Sequence, residues 1–258
     1  MRTIISGKNI VKAFGKGEQR VNALDGVDVE IEGGEFVAVM GPSGSGKSTL
    51  LFSLSGMDAV TSGSVKFDGI ELSGLGENEL ADIRRTKMGF VFQQPTMLKN
   101  LNLLDNIILP GAYGGKKNIA RATQRAKSLM RMTGISGLEQ RDTTEVSGGQ
   151  LQRAGICRAL INSPEILFAD EPTGALNSKA AGEIMDLLTG INKDGTAILL
   201  VTHDAKVAAR ADRVLFTKDG RIVSALALSG PTLRDPAQRA EAITRQMATA
   251  EEAASRTL

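Results

Sequence analysis

The chain holds one cysteine, Cys157, and one histidine, His203, in 258 residues. A single cysteine excludes an internal disulfide framework and fits a reducing compartment. Charge imbalance is also missing: 31 basic residues against 29 acidic leave a net charge of +2. That balance gives no electrostatic footprint for nucleic acid, and none is expected as a partner. Apolar runs such as AILLV at 197–201 are far shorter than the ~20 residues that span a bilayer. The first residues, MRTIISGKNIVKAFG, lack the apolar core of a signal peptide. The chain is therefore expected not to cross a membrane by itself. No internal repeat is visible.

What is present is a set of four short segments in a fixed order. They are GPSGSGKST at 41–49, SGGQ at 147–150, ILFADEP at 166–172 and VTHD at 201–204. Around them, strand and helix patterns alternate. KNIVKAF at 8–14 and VDVEI at 27–31 read as half-buried strands, and FVAVM at 36–40 as a strand covered on both faces. Further strands are expected at 64–69, 88–92, 166–170, 197–201 and 213–218, with helices at 47–55, 77–85, 178–193 and 205–210. Asp219-Gly220 signals a hairpin. Residues 118–134 read as an amphipathic helix with Ile119, Ala122, Ala126, Leu129 and Met130 on one face. This pattern predicts an α/β fold with a mainly parallel sheet, an N-terminal antiparallel β part and a helical insertion over about 95–160. Residues 1–225 form the domain. The tail 226–258, alanine-rich and poor in large apolar residues from Pro231 on, reads as a marginal helix or a disordered extension.

The chemistry follows from position. Gly41, Gly46, Lys47 and Ser48 match G-x-x-x-x-G-K-[ST], a loop whose backbone N–H groups can surround phosphate at a helix start. Lys47 can reach the β- and γ-phosphates, and the Ser48 hydroxyl can join a Mg²⁺ shell. Asp170 and Glu171 follow a buried strand, where ligands of open α/β sheets sit. Asp170 is placed to hold Mg²⁺ and Glu171 to polarise the attacking water. His203 lies beyond another buried strand and could hold that water in line.

With these residues in view the chain resembles the ATP-binding cassette (ABC) ATPases over about residues 4–225, within a P-loop NTPase core. The signature motif stands as Val146-Ser147-Gly148-Gly149-Gln150, with valine where the family has leucine. The resemblance implies that Ser147, Gly148, Gly149 and Gln150 contact ATP held by a second subunit, in a homodimer that sandwiches two ATP molecules. It implies nucleotide contacts from Ser43, Gly44, Ser45 and Thr49 along with the rest of the phosphate loop, and Phe14 stacked on adenine. Gln93 matches the Q-loop residue that links Mg²⁺ to the partner interface. Glu171 matches the catalytic carboxylate and His203 the switch histidine. The D-loop reads Gly174-Ala175-Leu176-Asn177, with asparagine where many members have aspartate.

The runs VNALDGV, IRRTKMGFVFQQ and ADEPTGALNSK resemble cassettes of macrolide-exporter, lipoprotein-release and bacitracin-type peptide-efflux systems. That subgroup implies an integral membrane permease as partner and a place on the cytoplasmic face of the membrane. Met97, Leu98 and Leu101 are candidate permease contacts, and Cys157 is expected to be a packing residue. Two alternatives stay open: a cassette that powers transmembrane signalling, and a soluble cassette acting on DNA or ribosomes.

Overall fold

Two sheets are set by where the sequence alternates and where it does not. The computed structural model of the chain describes residues 2–113, 115–228 and 235–255. The first sheet is antiparallel, with order β2-β1-β4-β5. It comprises β1 (Thr3–Phe14), β2 (Val21–Glu32), β4 (Ser62–Phe67) and β5 (Ile70–Glu71). The second contains β3 (Phe36–Met40), β6 (Met88–Phe92), β7 (Ile166–Asp170), β8 (Ala197–Val201), β9 (Arg213–Lys218) and β10 (Arg221–Ala227), in the order β10-β9-β3-β8-β7-β6. All its pairings are parallel except β10 on β9.

Strands of this second sheet are buried on both faces, which is why they read as unbroken apolar runs. Phe36, Ala38 and Met40 face a core shared with helices, while Val37 and Val39 face a second core under the antiparallel sheet. Helix α1 (Lys47–Leu54) fills the second core with Leu50, Leu51 and Leu54. Helix α2 (Glu77–Lys87) leads into β6.

The helical insertion consists of α3 (Leu103–Ile108), α4 (Lys116–Met132) and α5 (Gly148–Leu160). On α4, Ala122, Ala126, Leu129 and Met130 are buried as expected, but Ile119 is exposed. Ile119 sits only one turn into the helix, before the contact with α3 and α5 closes over it. Buried Asn106 donates to the carbonyls of Leu98, Leu101 and Asn102 and accepts from Leu98 N–H. It thereby fixes the loop between β6 and α3. Cys157 is fully buried, its thiol 3.2 Å from the Thr133 hydroxyl, and burial pushes its pKa up to about 11. It is a packing residue rather than a reactive one.

After α6 (Ser178–Lys193), β8, α7 (Ala205–Ala208) and β9, the Asp219-Gly220 hairpin has positive φ at both residues, +49° and +75°. This is the type I′ geometry whose twist suits a two-residue hairpin. Strand β10 then pairs with β9 as far as Ala227, so the body of the domain runs past the expected boundary at 225. Residues 229–234 lie outside the described residues. Beyond them the tail forms helix α8 (Pro236–Ser255). Ile243 is fully buried, Ala240 and Met247 pack on the same core, and Gln246 Nε2 donates to Ser224 Oγ at 2.7 Å. A stripe of one isoleucine, one methionine and one alanine suffices, because small neighbours let the helix sit close. Ile243→Ala should cost about 2–4 kcal/mol in urea unfolding. A change under roughly 0.5 kcal/mol, the size of a surface substitution, would show that α8 does not dock.

Candidate functional site

Parallel register brings the site together. The ladder pairs Phe92 with Asp170, Asp170 with Val201, Val39 with Val201 and Met40 with Phe216. The strands therefore end on one edge, and the segments that follow them emerge side by side. These are the glycine-rich loop after β3, Gln93 after β6, Glu171 after β7, His203 after β8 and Thr217 near the end of β9.

The loop 41–46 curls because glycine is required where the chain is crowded. A Cβ at Gly41 would lie 2.2 Å from the Thr217 carbonyl oxygen, and one at Gly46 (φ +93°) would lie 2.4 Å from the Ala23 carbonyl oxygen. Ser43 and Gly44 are exposed at the tip. Ser45 is turned the other way: it is buried, and its hydroxyl is 2.8 Å from that of Thr217. Its side chain thus anchors the loop to β9, and only its backbone can serve a ligand. Lys47 Nζ donates to the carbonyls of Gly41 at 2.9 Å and Pro42 at 2.8 Å, so the ammonium lies across the mouth of the loop. Burial lowers the Lys47 pKa, against the raising effect of Glu171 and Asp170. Thr49 is part-buried one residue beyond Ser48 on α1.

Ser48 Oγ donates to Asp170 Oδ1 at 3.0 Å. Burial raises the Asp170 pKa, partly offset by the Ser48 hydrogen bond. A hydroxyl and a carboxylate held face to face are hard oxygen ligands of the kind Mg²⁺ takes while keeping waters and substrate oxygens in its shell. Among the described residues, no cluster of three His, Cys, Asp or Glu side chains exists. Such a site would depend on a bound phosphate for its remaining ligands.

Glu171 has φ +47°, a left-handed backbone uncommon for a residue with a side chain. Its N–H donates to Val201 carbonyl at 2.9 Å, and Gly174 N–H donates to its carbonyl at 3.0 Å, which together hold the strained turn. The carboxylate is gripped at both oxygens. His203 Nδ1 lies 2.8 Å from Oε1, and the Thr202 hydroxyl donates to Oε2 at 3.3 Å. The His203 side chain is 74% exposed and that of Glu171 19%. With Nδ1 engaged, the remaining imidazole nitrogen is left to face a ligand.

Gln93 is exposed, and its amide lies against the D-loop. A Cβ at Gly174 would come within 2.8 Å of Gln93 Nε2. Among the described residues this amide makes no hydrogen bond to Ser48 or Asp170. Phe14 is 50% exposed at the end of β1, with Lys12 Nζ 5.1 Å from its ring centroid. An aromatic face so exposed is not core packing and is available for stacking.

The segment 147–150 faces outward. Ser147 Oγ accepts from Gln150 N–H and Gln150 Oε1 accepts from Ser147 N–H, a capping box that starts α5. Gly148 and Gly149 have no internal need to be glycine. A Cβ at either would meet only ordinary contacts, 3.8 Å from Leu176 and 3.6 Å from Ala180. Asn177 caps α6, accepting from Ala180 N–H at 2.9 Å. That is a role aspartate shares, so the substitution removes charge and leaves the geometry.

Three residues of the site escaped sequence reading. Thr202 steadies Glu171. Thr217 binds Ser45 and, at 3.2 Å, the Met40 carbonyl. Gln152, fully buried on α5, donates to the Phe92 carbonyl at 3.0 Å and so ties the signature helix to the residue before Gln93. Only Gln152 left a trace, as a polar residue on the inner face of a helix.

The family described as ABC transporter matches residues 24–174. The macrolide export ATP-binding/permease protein MacB of Mannheimia succiniciproducens is 44% identical over 220 residues, 85% of this chain and 34% of that protein. The chain thus spans about a third of the length of the MacB relatives it matches. The ABC transporter ATP-binding protein MJ1508 of Methanocaldococcus jannaschii is 43% identical over 85% of this chain and 98% of its own length. Among solved structures, a dimeric post-hydrolysis state of the ATP-binding cassette MJ0796 bound to ADP and Pi superposes with a TM-score of 0.79. It is 40% identical, covering 88% of this chain and 100% of that one.

Burial raises the folded-state pKa of Asp170, so its contribution to stability is full below the ordinary carboxylate value and is lost as pH rises through the raised one. At neutral pH the ionised, desolvated carboxylate holds stability down. Asp170→Asn should therefore raise the melting temperature of the ligand-free protein at pH 7, and the gain should shrink toward pH 4. The same variant should lose the thermal shift that Mg²⁺ with ATP gives the wild type. A variant less stable than wild type at pH 7, or one keeping the full Mg²⁺-dependent shift, would contradict this account.

Proposed function

Since the chain belongs to the ABC transporter ATPase family, we propose that it acts as the ATP-hydrolysing cassette of a membrane transporter, pairing with a second copy around two ATP molecules. The observation that carries this is the convergence of Lys47, Ser48, Asp170, Glu171 and His203 on one sheet edge, with Ser48 bonded to Asp170 at 3.0 Å, His203 to Glu171 at 2.8 Å and Lys47 laid across the phosphate loop. The same chain carries an outward-facing signature segment whose two glycines, Gly148 and Gly149, meet only ordinary contacts within it.

In this reading the backbone of 41–46 and the Lys47 ammonium bind the β- and γ-phosphates. Phosphate replaces the loop carbonyls as the partner of Nζ. Phe14 stacks on the base. Ser48 and Asp170 would hold Mg²⁺, and Gln93 would join them once its amide turns from the D-loop; bound there, the ion would neutralise phosphate charge. Glu171 orients the attacking water and takes its proton, while His203 steadies it against the γ-phosphate. Little covalent chemistry is asked of the protein, so positioning and charge dominate. Ser147, Gly148, Gly149 and Gln150 close on the partner's ATP, using N–H groups at the start of α5. The MJ0796 cassette, dimeric with ADP and Pi, supports the sandwich.

No helix among the described residues is long and apolar enough to cross a membrane. In this reading the cassette works with an integral permease at the cytoplasmic face of the membrane, which the name of the MacB relatives, ATP-binding/permease protein, supports. We infer export of, or resistance to, an antimicrobial peptide, a macrolide-like or a lipid-linked compound, and similarity to the macrolide export protein MacB supports the macrolide-like choice. Leu98, 46% exposed, is the apolar side chain offered to the permease. Met97 is instead turned inward onto α5, near Gly155, and Leu101 is part-buried.

Glu171→Gln should retain ATP binding, cut turnover by roughly 10²–10⁴-fold and trap a dimer visible by size exclusion with ATP. Near-normal turnover would remove Glu171 from its role. Leu98→Asp should abolish association with the permease and leave basal ATP hydrolysis intact. Loss of both together would make Leu98 part of the fold instead.

A further inference from the structure

Ser53 breaks a pattern of this chain. Helical hydroxyls elsewhere bond back to the carbonyl four residues earlier, as Thr123 does to Ile119 at 2.8 Å, Thr189 to Met185 at 2.8 Å and Thr244 to Ala240 at 2.9 Å. Ser53, in the last turn of α1, is 2% exposed, and its hydroxyl has no hydrogen-bond partner. No other buried side-chain nitrogen or oxygen among the described residues is left in this way. A buried hydroxyl without a partner is costly, because it has given up its water and gained nothing in return.

Ser53 lines a recess of about 300 Å³, twice the ~150 Å³ apolar cavity that takes up benzene. The walls come from the end of α1, the turn that follows it, β4, the turn after β5 and the start of α2. Met57, Val60, Val65, Leu72, Leu75 and Leu80 make most of this surface apolar, and Gly56 and Ala59 add little bulk. Its polar groups besides Ser53 are Ser73, Asp58 and Glu77. Both carboxylates are already paired, Asp58 with Lys12 and Glu77 with Arg84. Arg84 Nη1 also donates to the Gly56 carbonyl at 2.6 Å, which ties α2 to the turn after α1 and holds two of the walls in place.

A charged ligand would find no free counter-ion in this recess. We propose that it binds a small uncharged molecule, an apolar ring or short chain bearing one hydrogen-bond acceptor that the Ser53 hydroxyl meets. Small-molecule sites have this composition, an apolar lining with a few polar groups that set orientation. A serine hydroxyl carries a single proton to donate, so a carbonyl or ether oxygen on the ligand is the group that satisfies it. The site is distinct from the phosphate loop, although it rests on the far end of the helix that begins at Lys47.

The test uses acetophenone and ethylbenzene, near equals in size, of which only the first carries an acceptor. Each is titrated at millimolar concentration into the ¹⁵N-labelled full chain and followed through the amide NMR spectrum. Both should give saturable shifts centred on residues 53–60 and 72–80. Ser53→Ala should weaken acetophenone binding by roughly 2–12-fold, the range of one neutral hydrogen bond, and leave ethylbenzene binding unchanged. Without ligand the same variant should melt no lower than the wild type, since it removes the unpaired hydroxyl. Shifts centred elsewhere, shifts that do not saturate, or no shift at all overturn the site. An equal loss of both probes in the variant, or a loss of neither, overturns the role of the hydroxyl and with it the acceptor on the ligand. A lower melting temperature overturns the premise that the hydroxyl stands unpaired in the folded chain.

Discussion

The parallel ladder that sets Asp170 beside Val201, and Val201 beside Val39, is the constraint on which the remainder of the molecule depends. Parallel strands all end on the same edge, so each loop that follows is delivered to the same place. A slip of one residue would exchange the two faces of a strand. Because β3, β7 and β8 are packed on both faces by separate cores, neither face tolerates the exchange. Register is thus fixed by burial, and the spacing of Lys47, Asp170, Glu171 and His203 is inherited from it. The antiparallel sheet adds Phe14 from outside this edge, which is why that residue can stay exposed.

What the edge supports is not itself favourable. Glu171 occupies a left-handed backbone, Asp170 and Lys47 are partly desolvated, and α5 opens on two glycines with no packing reason to be there. Each is a local cost that the rest of the fold has to carry. Strain at such a site persists because its surroundings over-determine it. Here the two cores and the bonds from Thr202, Thr217 and Val201 supply that rigidity.

The legible parts of the sequence were those where chemistry demands a particular residue at a particular offset. A phosphate loop needs glycine where Thr217 and Ala23 crowd it and lysine where the helix begins. The acids and the histidine were found because each follows an unbroken apolar run, the mark of a strand buried on both faces. Less legible were residues whose partner lies far along the chain. Nothing near Thr217 announces a contact with Ser45, 172 positions away, and Asn106 looks like any helix polar residue until its loop folds over it. That the Ser45 side chain turns to Thr217 and leaves only its backbone toward the loop was likewise invisible in the sequence. The tail was undervalued because a count of large apolar residues misses their spacing: Ala240, Ile243 and Met247 fall on one stripe, and a short stripe is enough on a surface already formed.

The signature helix and the hydrolytic turn are joined by contacts that leave little slack. Gln152 on α5 holds the Phe92 carbonyl, Gly155 on the same helix abuts Pro95, and Gln93 between them lies against Gly174, whose N–H is bonded to the Glu171 carbonyl. A Cβ at Gly174 would come within 2.8 Å of the Gln93 amide and push that flexible side chain aside. A rotation of the helical insertion that carries α5 toward a partner's ATP therefore has to move the Phe92–Pro95 segment with it. That motion shifts Gln93 across the loop that aims Glu171. Packed interfaces of this kind change between discrete arrangements rather than deform continuously. On the proposed function the same connection would work in reverse: a membrane partner pressing on the Phe92–Pro95 segment would bias the position of Gln93, and with it the readiness of Glu171.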